Sequence, residues 1–441
     1  MTTAKEDQAL ANRLEALYAR RTFGIKLGLE VEESILAALG NPERSFLPLH
    51  VAGTNGKGSV CAMMESVFRQ AGFRTGLYTS PHLVRFNERI QTGGVPVSDA
   101  DLLALWEIGE AAEKEAAAGG DWKESTFFEF TTALAFEYFR RARVQVGVVE
   151  VGMGGRLDAT NVVLPLASVI APVSLEHMEY LGSTIQAIAG EKCGIIKKGR
   201  PVVYAQPDPE AEAVVARTAR ERGSRCVNAL DSVRVERVKQ DLDGQKVRIE
   251  SESQSYGVVR LSLLGRHQLM NAALAVAALE TAFEEMGRPL PKEAVTAGLE
   301  AARWPGRLQI LETEPVTILD GGHNPAAAAV LGDALKELAG KKPVGLICGM
   351  CGDKDMAGFF KPLAKRLRRV WAVRLKTPRS ADPEQVALKA RKMGLVATVS
   401  DLAAARAEAR AWALEQGGAV CIAGSLFLAG EVLEEEGKTH G

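Results

Sequence analysis

The sequence predicts an α/β protein of two domains, each built on a mainly parallel β-sheet, with a small antiparallel β segment ahead of the second. Apolar runs without alternation recur along the chain, which is typical of strands buried on both faces of a parallel sheet. Segments with helical periodicity separate these runs and favour crossover helices. The length of 441 residues also exceeds that of a usual single domain.

Five apolar runs mark the first sheet. We expect strands within residues 46–53, 74–80, 144–152, 166–174 and 200–205. Two helices that follow have capping pairs at their starts, Ser98 with Asp101 and Thr126 with Glu129. The first domain therefore alternates strand and helix from its start to about residue 230.

Residues 232–263 follow a different pattern, because apolar and polar residues alternate around an Asp-Gly pair. This predicts an antiparallel β segment, which we expect to be an edge extension of the first domain. After residue 309 the α/β pattern resumes, with strands expected within 316–321, 343–350, 369–375 and 418–425. We place the domain boundary near residue 303, which gives domains 1–302 and 303–441.

The composition is that of an ordinary globular protein, with 46% hydrophobic and 25% charged residues. A net charge of -1 argues against a general nucleic-acid or anionic-membrane binder. No signal core and no apolar stretch of membrane-spanning length is present, so we expect a cytoplasmic protein. The six cysteines are scattered, and the pair Cys348 and Cys351 lacks a second pair of metal ligands, so we interpret it as packing.

A glycine-rich loop, "GTNGKGS", is the strongest chemical signal. It lies between an apolar strand and a helix, where backbone N–H groups and the helix N-terminus bind phosphate. Lys57 can reach the outer phosphates and Ser59 a phosphate or Mg²⁺. An extra Gly58 separates these two residues, so the spacing is not the usual one, and the alternative is a turn with a solvated lysine. The candidate nucleotide-binding residues are Gly53, Thr54, Asn55, Gly56, Lys57, Gly58 and Ser59.

Three polar residues end neighbouring strands of the first sheet: Ser80, Glu150 and His177. The carboxyl ends of parallel strands meet at one edge, where open α/β sheets bind ligands. A hydroxyl, a carboxylate and an imidazole there can share a metal ion, and oxygen donors beside phosphate suit Mg²⁺. Taken singly, each has another interpretation. Ser80 can form a turn before proline, Glu150 can pair with a structural Arg or Lys, and His177 can be a surface or core histidine.

The second domain has its own strand-end loops. "LDGGHNP" (319–325) places Asp320 and His323 between a strand and a helix, and "CGDKD" (351–355) and "GSLFLAGEVL" (424–433) end two other strands. Such loops gather at one edge of a sheet. We expect that edge to face the phosphate loop of the first domain.

The motifs, taken in order, resemble a known family. "GTNGKGS", "TSPHL", "FNERI", "EVGMGGRLDATN", "IAGEKCGIIKKG", "GRHQLMNAALA", "RWPGRLQ", "DGGHNP" and "GSLFLAGEVL" are similar to those of the folylpolyglutamate synthase/dihydrofolate synthase family, a branch of the Mur ligase superfamily. The resemblance runs from about residue 23 to about residue 433. The extra glycine in the loop is itself characteristic of this branch.

The resemblance implies an N-terminal P-loop ATPase-type domain and a C-terminal Rossmann-like domain. It implies that ATP phosphorylates a carboxylate of dihydropteroate or a folate, and that the amino group of L-glutamate attacks the acyl phosphate. The cofactors it implies are ATP and Mg²⁺, as two ions, with a monovalent cation as a further candidate. We expect small-molecule partners only, no nucleic acid or membrane, and a monomer.

The resemblance also assigns roles to residues. Lys57 and the loop amides would hold the phosphates, and Ser80, Glu150 and His177 would bind Mg²⁺. Lys192, which by pattern alone reads as an exposed helix lysine, aligns with a lysine that carries a carbamate and binds metal. The other implied contacts are Asn271, Arg307 and Asp320 with the nucleotide, His323 and Ser425 with glutamate, and Pro81, His82 and Arg85 with the pterin. Lys57, Lys192 and His323 are the candidate catalytic residues.

Three positions depart from the family pattern. Glu176 stands where Asp is common before the histidine, and its extra methylene is expected to shift His177 or a supporting hydrogen bond. Cys193 replaces a common Ala and Gly322 another, and both are expected to be benign.

Two other functions stay open on the motifs. A Mur ligase acting on a nucleotide-linked cell-wall peptide would share most of the chemistry, although no separate uridine-nucleotide domain is evident before residue 46. A P-loop regulatory or transport ATPase would share the loop but would need neither Lys192 nor "DGGHNP".

Overall fold

The computed structural model describes residues 3–20, 28–118 and 124–437. Residues 23–27, where the family resemblance begins, lie outside these ranges. The described residues form an eight-stranded, a three-stranded and a six-stranded sheet. The predicted α/β class is confirmed by this architecture.

The first sheet has the strand order β4-β3-β2-β5-β1-β6-β7-β8. Its strands are β1 Leu47–Ala52, β2 Thr75–Tyr78, β3 Ile90–Thr92, β4 Val95–Pro96, β5 Val146–Glu150, β6 Ala167–Ile170, β7 Val202–Tyr204 and β8 Cys226–Asn228. Strands β2, β5, β1, β6, β7 and β8 are parallel, and β3 and β4 add an antiparallel edge. All five strands predicted for this sheet are present. The short strands β3, β4 and β8 were not predicted, because they do not lie within continuous apolar runs such as the one that marks β7.

The helices of the described residues cover both faces of the sheets. In chain order they are α1 Thr3–Ala19, α2 Glu30–Ala38, α3 Lys57–Gln70, α4 Asp99–Ala117, α5 Phe127–Arg141, α6 Met178–Leu181, α7 Ile185–Cys193, α8 Pro209–Glu221, α9 Ala229–Ser232, α10 His267–Glu285, α11 Lys292–Ala301, α12 Pro325–Leu338, α13 Met356–Leu363, α14 Pro383–Lys392, α15 Leu402–Gln416 and α16 Leu426–Glu435. Helices α3, α10 and α11 share one core with the first sheet, and α2, α4 and α5 share another on the opposite face. Both predicted caps form, since Ser98 and Thr126 accept hydrogen bonds from the Asp101 and Glu129 amides.

The predicted antiparallel segment is present and forms a three-stranded sheet of its own. Its strands are β9 Val233–Asp241, β10 Gly244–Ser251 and β11 Ser255–Leu261, in the order β11-β10-β9. Alternate apolar side chains, Val247, Ile249 and Val259 among them, join the core formed by α3, α10 and α11. The segment therefore buries its apolar face against helices, which removes any need to pair with β8.

The six-stranded sheet has the order β12-β13-β17-β14-β15-β16. Its strands are β12 Gln309–Thr313, β13 Val316–Leu319, β14 Val344–Cys348, β15 Leu367–Ala372, β16 Val396–Val399 and β17 Ala419–Ala423. Only β12 is antiparallel to its neighbour. The four predicted strands correspond to β13, β14, β15 and β17, whereas the half-exposed β12 and β16 lack the continuous apolar run that marked the others.

No helix in the described ranges combines the length and the apolar character that crossing a membrane would require.

One buried charge conflicts with the apolar core of α2. Glu32 has 0% of its surface exposed, and neither carboxylate oxygen has a hydrogen-bond partner among the described residues. Burial, followed by the charges of Glu129, Asp158 and Glu43, raises the pKa of Glu32 well above its usual value. The folded protein therefore holds this proton more tightly than the unfolded chain does.

Replacing Glu32 should accordingly stabilise the protein, and more so at higher pH. The contribution of the bound proton is complete below the unfolded pKa of 4.5 and is lost as pH rises above it. We expect Glu32→Leu to raise the free energy of unfolding by about 1–3 kcal/mol at pH 8, the cost of an unpaired buried polar group. Urea unfolding at pH 5 and pH 8 measures this. Glu32→Gln is the control that removes ionisation alone, and a stability gain independent of pH would contradict the prediction.

Candidate active site

The loop between β1 and α3 is held from two sides. Thr54 donates its amide to Pro172 O and its hydroxyl to Ser174 O, at 2.9 and 3.1 Å, so the loop is tied to the residues after β6. On the other side, Gln268 at the start of α10 donates to Ser59 Oγ at 3.2 Å, and Asn271 bonds Gln268. The loop is therefore a fixed element rather than a free turn.

Two glycines of this loop are required by their surroundings. Gly56 has φ +90°, a conformation that favours glycine, and a Cβ there would lie 2.6 Å from Asn271 Oδ1. A Cβ on Gly58 would lie 2.5 Å from the indole ring of Trp304. The extra glycine of the motif thus makes room for an aromatic ring from the segment that leads to the six-stranded sheet.

Lys57 folds back over the loop in this structure. Its Nζ donates to Gly53 O at 3.1 Å and to Thr54 O at 3.4 Å, and lies 3.9 Å from Glu150 Oε1. These weak partners leave the ammonium group available to a stronger anion. A phosphate above the loop would offer one.

Glu150 ends β5 and is buried, with 4% of its surface exposed. Its Oε2 accepts the Ser80 amide at 3.1 Å. Burial raises its pKa, and Lys57, the Ser80 amide and Arg307 oppose the rise in that order. A buried carboxylate whose pKa stays raised despite these cations fits a site that receives a further cation, and its oxygen donors suit Mg²⁺.

His177 lies on the loop after β6, at the same sheet edge, with its backbone in the left-handed region at φ 51°. Its side chain is exposed on one side, while desolvation by the neighbouring residues lowers its pKa. The charges of Lys354, Lys192 and Lys57 add to this lowering, and that of Glu176 opposes it. No three His, Cys, Asp or Glu side chains of the described residues converge as a ready metal cluster. The Ser80 amide and Glu150 are in contact, and His177 lies on a loop at the same edge of the sheet.

Lys192 is buried, not exposed as its pattern alone suggested, with 4% of its surface accessible. Its Nζ donates to Gly53 O at 2.8 Å, the same carbonyl that Lys57 contacts. Burial, then the charge of Lys57, lowers the pKa of Lys192 to about 7. The amine is thus partly neutral near neutral pH, which is the form that reacts with carbon dioxide.

The loop after β13 lies against the phosphate loop. Asn324, which caps α12, donates to Asn55 Oδ1 at 3.2 Å. His323 Nε2 lies 3.2 Å from Glu176 Oε1, and its Nδ1 lies 2.9 Å from Gly321 O. Both partners are acceptors, so whichever ring nitrogen carries a proton has a partner in place.

The side chains of Asp320 and Ser425 already accept hydrogen bonds from backbone amides. Asp320 accepts the amides of Leu308 and Gly322, at 2.9 and 2.8 Å, one with each oxygen. Ser425 caps α16 by accepting the Phe427 amide at 3.0 Å. In this structure both side chains therefore fix loops, and any contact with substrate would use their remaining lone pairs.

A cavity of about 200 Å³ opens beside this site. One side is the stripe of α3 that includes Ser66, whose Oγ is buried and has no partner among the described residues. Trp304 and Arg307 line the opposite side, and Pro81 and His82 line the wall between β2 and the 3₁₀ turn at 86–89. The cavity thus combines apolar side chains with charged ones such as Arg307.

Arg85 does not line this cavity. Its guanidinium instead forms a short ion pair with Asp99, 2.6 Å from Oδ2. His82 is held by Arg89, which donates from Nε to His82 Nδ1 at 2.8 Å.

Four residues with clear roles in this geometry were not singled out from the sequence as site residues: Glu176, Gln268, Trp304 and Asn324. Glu176 was noted only as a departure, and Asn324 only as a helix start. Trp304 and Gln268 lie inside "RWPGRLQ" and "GRHQLMNAALA", so the motifs were the available signal. Their contacts span more than a hundred positions, and local pattern gives no information about such partners.

Two family profiles match the chain. Residues 51–279 match the Mur ligase middle domain, and residues 306–426 match the Mur ligase, glutamate ligase domain. Together they cover the phosphate loop, the strand-end residues of the first sheet and nearly all of the six-stranded sheet.

Similar proteins include the dihydrofolate synthase/folylpolyglutamate synthase of Bacillus subtilis (strain 168), 37% identical over 79% of this chain and 81% of that protein. The folylpolyglutamate synthase of Lacticaseibacillus casei is 38% identical over 80% of this chain and 82% of its own.

Solved structures agree with these relatives. Mycobacterium tuberculosis folylpolyglutamate synthase complexed with ADP has a TM-score of 0.91 at 32% identity, covering 99% of this chain and 100% of that one. E. coli FolC in complex with DHPP and ADP has a TM-score of 0.85 at 31% identity, covering 97% of each chain. Profiles, sequence relatives and structures agree, and the chain belongs to the folylpolyglutamate synthase/dihydrofolate synthase family of Mur ligases.

Proposed function

We propose that this protein is an ATP-dependent ligase that joins L-glutamate to a folate or to dihydropteroate through an acyl phosphate. The observation that carries the ligase assignment is the contact between Asn324 and the phosphate-loop residue Asn55. It brings a loop of the six-stranded sheet to the place where the γ-phosphate is transferred. A simple ATPase has no need of such a contact, whereas a ligase must hold an amine beside the activated carboxylate.

In the first step the acceptor carboxylate attacks the γ-phosphate of ATP. The loop amides and Lys57 hold the phosphates, because the ammonium group exchanges its weak carbonyl partners for phosphate oxygens. Mg²⁺, when bound by Ser80, Glu150 and His177, supplies neutralising charge to the phosphates. Asn271 and Arg307 are proposed to border the nucleotide, and Asp320 to fix the hinge next to it.

In the second step the amino group of L-glutamate attacks the acyl phosphate and phosphate leaves. His323 and Ser425 are proposed to act on the glutamate side. The cavity beside Pro81, His82 and Trp304 is proposed as the acceptor site, since its aromatic and apolar side chains suit an aromatic ring system. Movement about residue 303 would close this site to water.

Lys192 is proposed to carry a carbamate. Its lowered pKa supplies the neutral amine, and the modification would turn a second ammonium beside Gly53 into an anionic group that can bind metal. A monovalent cation remains a candidate cofactor, and a monomer in the cytoplasm remains the expectation.

The activity itself is tested by ADP release in the presence of L-glutamate, with dihydropteroate and tetrahydrofolate assayed side by side. We expect at least one acceptor to stimulate steady-state release when glutamate is present, because the amine must consume the acyl phosphate before the next turnover. Stimulation by both would assign both folate activities. Absence of stimulation by either acceptor would refute the proposed function.

Lys57→Ala should lower kcat by about 10²–10³, the scale of losing one donor to transition-state charge. Steady-state kinetics measures this, with circular dichroism to confirm folding. Lys246→Ala is the matched control, since Lys246 lies exposed on β10, far along the chain from the loop. Turnover within a few-fold of the unmodified enzyme would argue against the phosphate role.

Lys192→Met should be similarly damaging, and the modification has its own readout. After incubation with isotopically labelled bicarbonate, carbon NMR should detect a carbamate in the unmodified protein and none in the variant. Removing carbon dioxide should lower activity, and bicarbonate should restore it. Full activity at high bicarbonate with an unmodified lysine would rule the carbamate out.

A further inference from the structure

Glu176 joins the loop after β6 to the loop that begins α12. Its Oε1 lies 3.2 Å from His323 Nε2 and 3.5 Å from Asn324 Nδ2. Asn324 in turn donates to Asn55 Oδ1 at 3.2 Å. A single carboxylate and a single amide thus connect residues 320–324 to the two loops of the first sheet that bear the phosphate and metal residues.

The length of the Glu176 side chain decides whether this contact exists. The contact with His323 is already at the long end of hydrogen-bonding distance. An aspartate on the same backbone would withdraw the carboxylate by about one C–C bond, about 1.5 Å. The hydrogen bond would then be lost unless one of the two loops moved.

We propose that Glu176 is a positioning residue whose reach holds residues 320–324 against the phosphate loop, so that the glutamate side of the site closes over the activated carboxylate. This rests on the ligation proposed above. Where the contact is missing, the loop sits further from the acyl phosphate. Water then competes with the amine, and ATP is spent without amide formation.

A different role would rest on charge alone. Glu176 precedes His177, and its negative charge opposes the lowering of the pKa of His177 by desolvation. The charge of Lys57 in turn contributes to the lowered pKa of Glu176. If Glu176 acted only through its charge on the proposed metal-binding residues, the charge would matter and the length of the side chain would not. Substitution separates the two: Glu176→Asp keeps the charge and shortens the side chain, and Glu176→Gln keeps the length and removes the charge.

We expect Glu176→Asp to raise the KM for L-glutamate about tenfold and to raise the fraction of ADP released without amide product. Its KM for ATP should change less than twofold. Glu176→Gln should keep coupling within about twofold, because an amide of the same length still bonds His323. Glu179→Asp is the matched control, since it is the same change on an exposed residue of α6 for which no contact is recorded among the described residues.

The double variant Glu176→Asp/His323→Ala should couple no worse than His323→Ala alone. The reason is that each change removes the same contact, the one between Glu176 and His323. Three results would overturn the proposal. One is full coupling in Glu176→Asp, and another is loss of coupling in Glu176→Gln with normal Glu176→Asp. The third is an additive double variant.

Hydrogen exchange provides a readout that does not depend on turnover. The amide of Ala327 bonds Asn324 Oδ1 at 2.8 Å, so it reports whether the start of α12 is held. We expect faster exchange there in Glu176→Asp and unchanged exchange at the Asp382 cap of α14. If no acceptor supports ligation, the proposed function fails, while the exchange rates still decide the positioning role: unchanged exchange at Ala327 would refute it.

Discussion

Two ammonium groups share one carbonyl oxygen at the centre of this protein. Lys57 and Lys192 both donate to Gly53 O, at 3.1 and 2.8 Å, in a place largely closed to water. Glu150 is the only carboxylate within ion-pair distance of either lysine among the described residues, at 3.9 Å from Lys57. A buried excess of positive charge is unfavourable by itself, and the lowered pKa of Lys192 expresses that. An anionic group placed beside the two lysines would offset this excess.

The six-stranded sheet is placed relative to this charge by α12. At its start, Asn324 bonds Asn55 of the phosphate loop. Near its end, Glu337 forms a two-point ion pair with Arg237 of β9, at 2.7 and 2.8 Å, and also bonds Arg266. A helix of 14 residues spans about 20 Å. Attachment at both ends fixes its direction as well as its position, and the separate antiparallel sheet supplies one of the two anchors.

The sequence predicted the parts of this protein that depend on local pattern. Buried parallel strands, helix caps and the phosphate loop each have a signature within ten or so residues, and Glu150 was recognisable because a carboxylate at the end of an apolar strand needs a partner. Side-chain direction was not predictable. Arg85 forms an ion pair with Asp99, and the side chains of Asp320 and Ser425 accept hydrogen bonds from backbone amides. These partners all lie nearby along the chain. The antiparallel segment was predicted from its alternating pattern, whereas its packing against α3, which lies far away along the chain, has no local signature.

Gly58 and Trp304 bring together a loop of the first sheet and the segment that leads into the second, with no room for even a methyl group between them. The two positions are therefore not independent in evolution. A side chain at 58 would be admitted only after the ring at 304 had been reduced, and a ring at 304 persists only while 58 stays bare. Such a pair restricts substitution at both positions, although they lie some 250 residues apart in the sequence. The extra glycine in the loop therefore indicates that another part of the chain, here the segment around Trp304, packs directly against it.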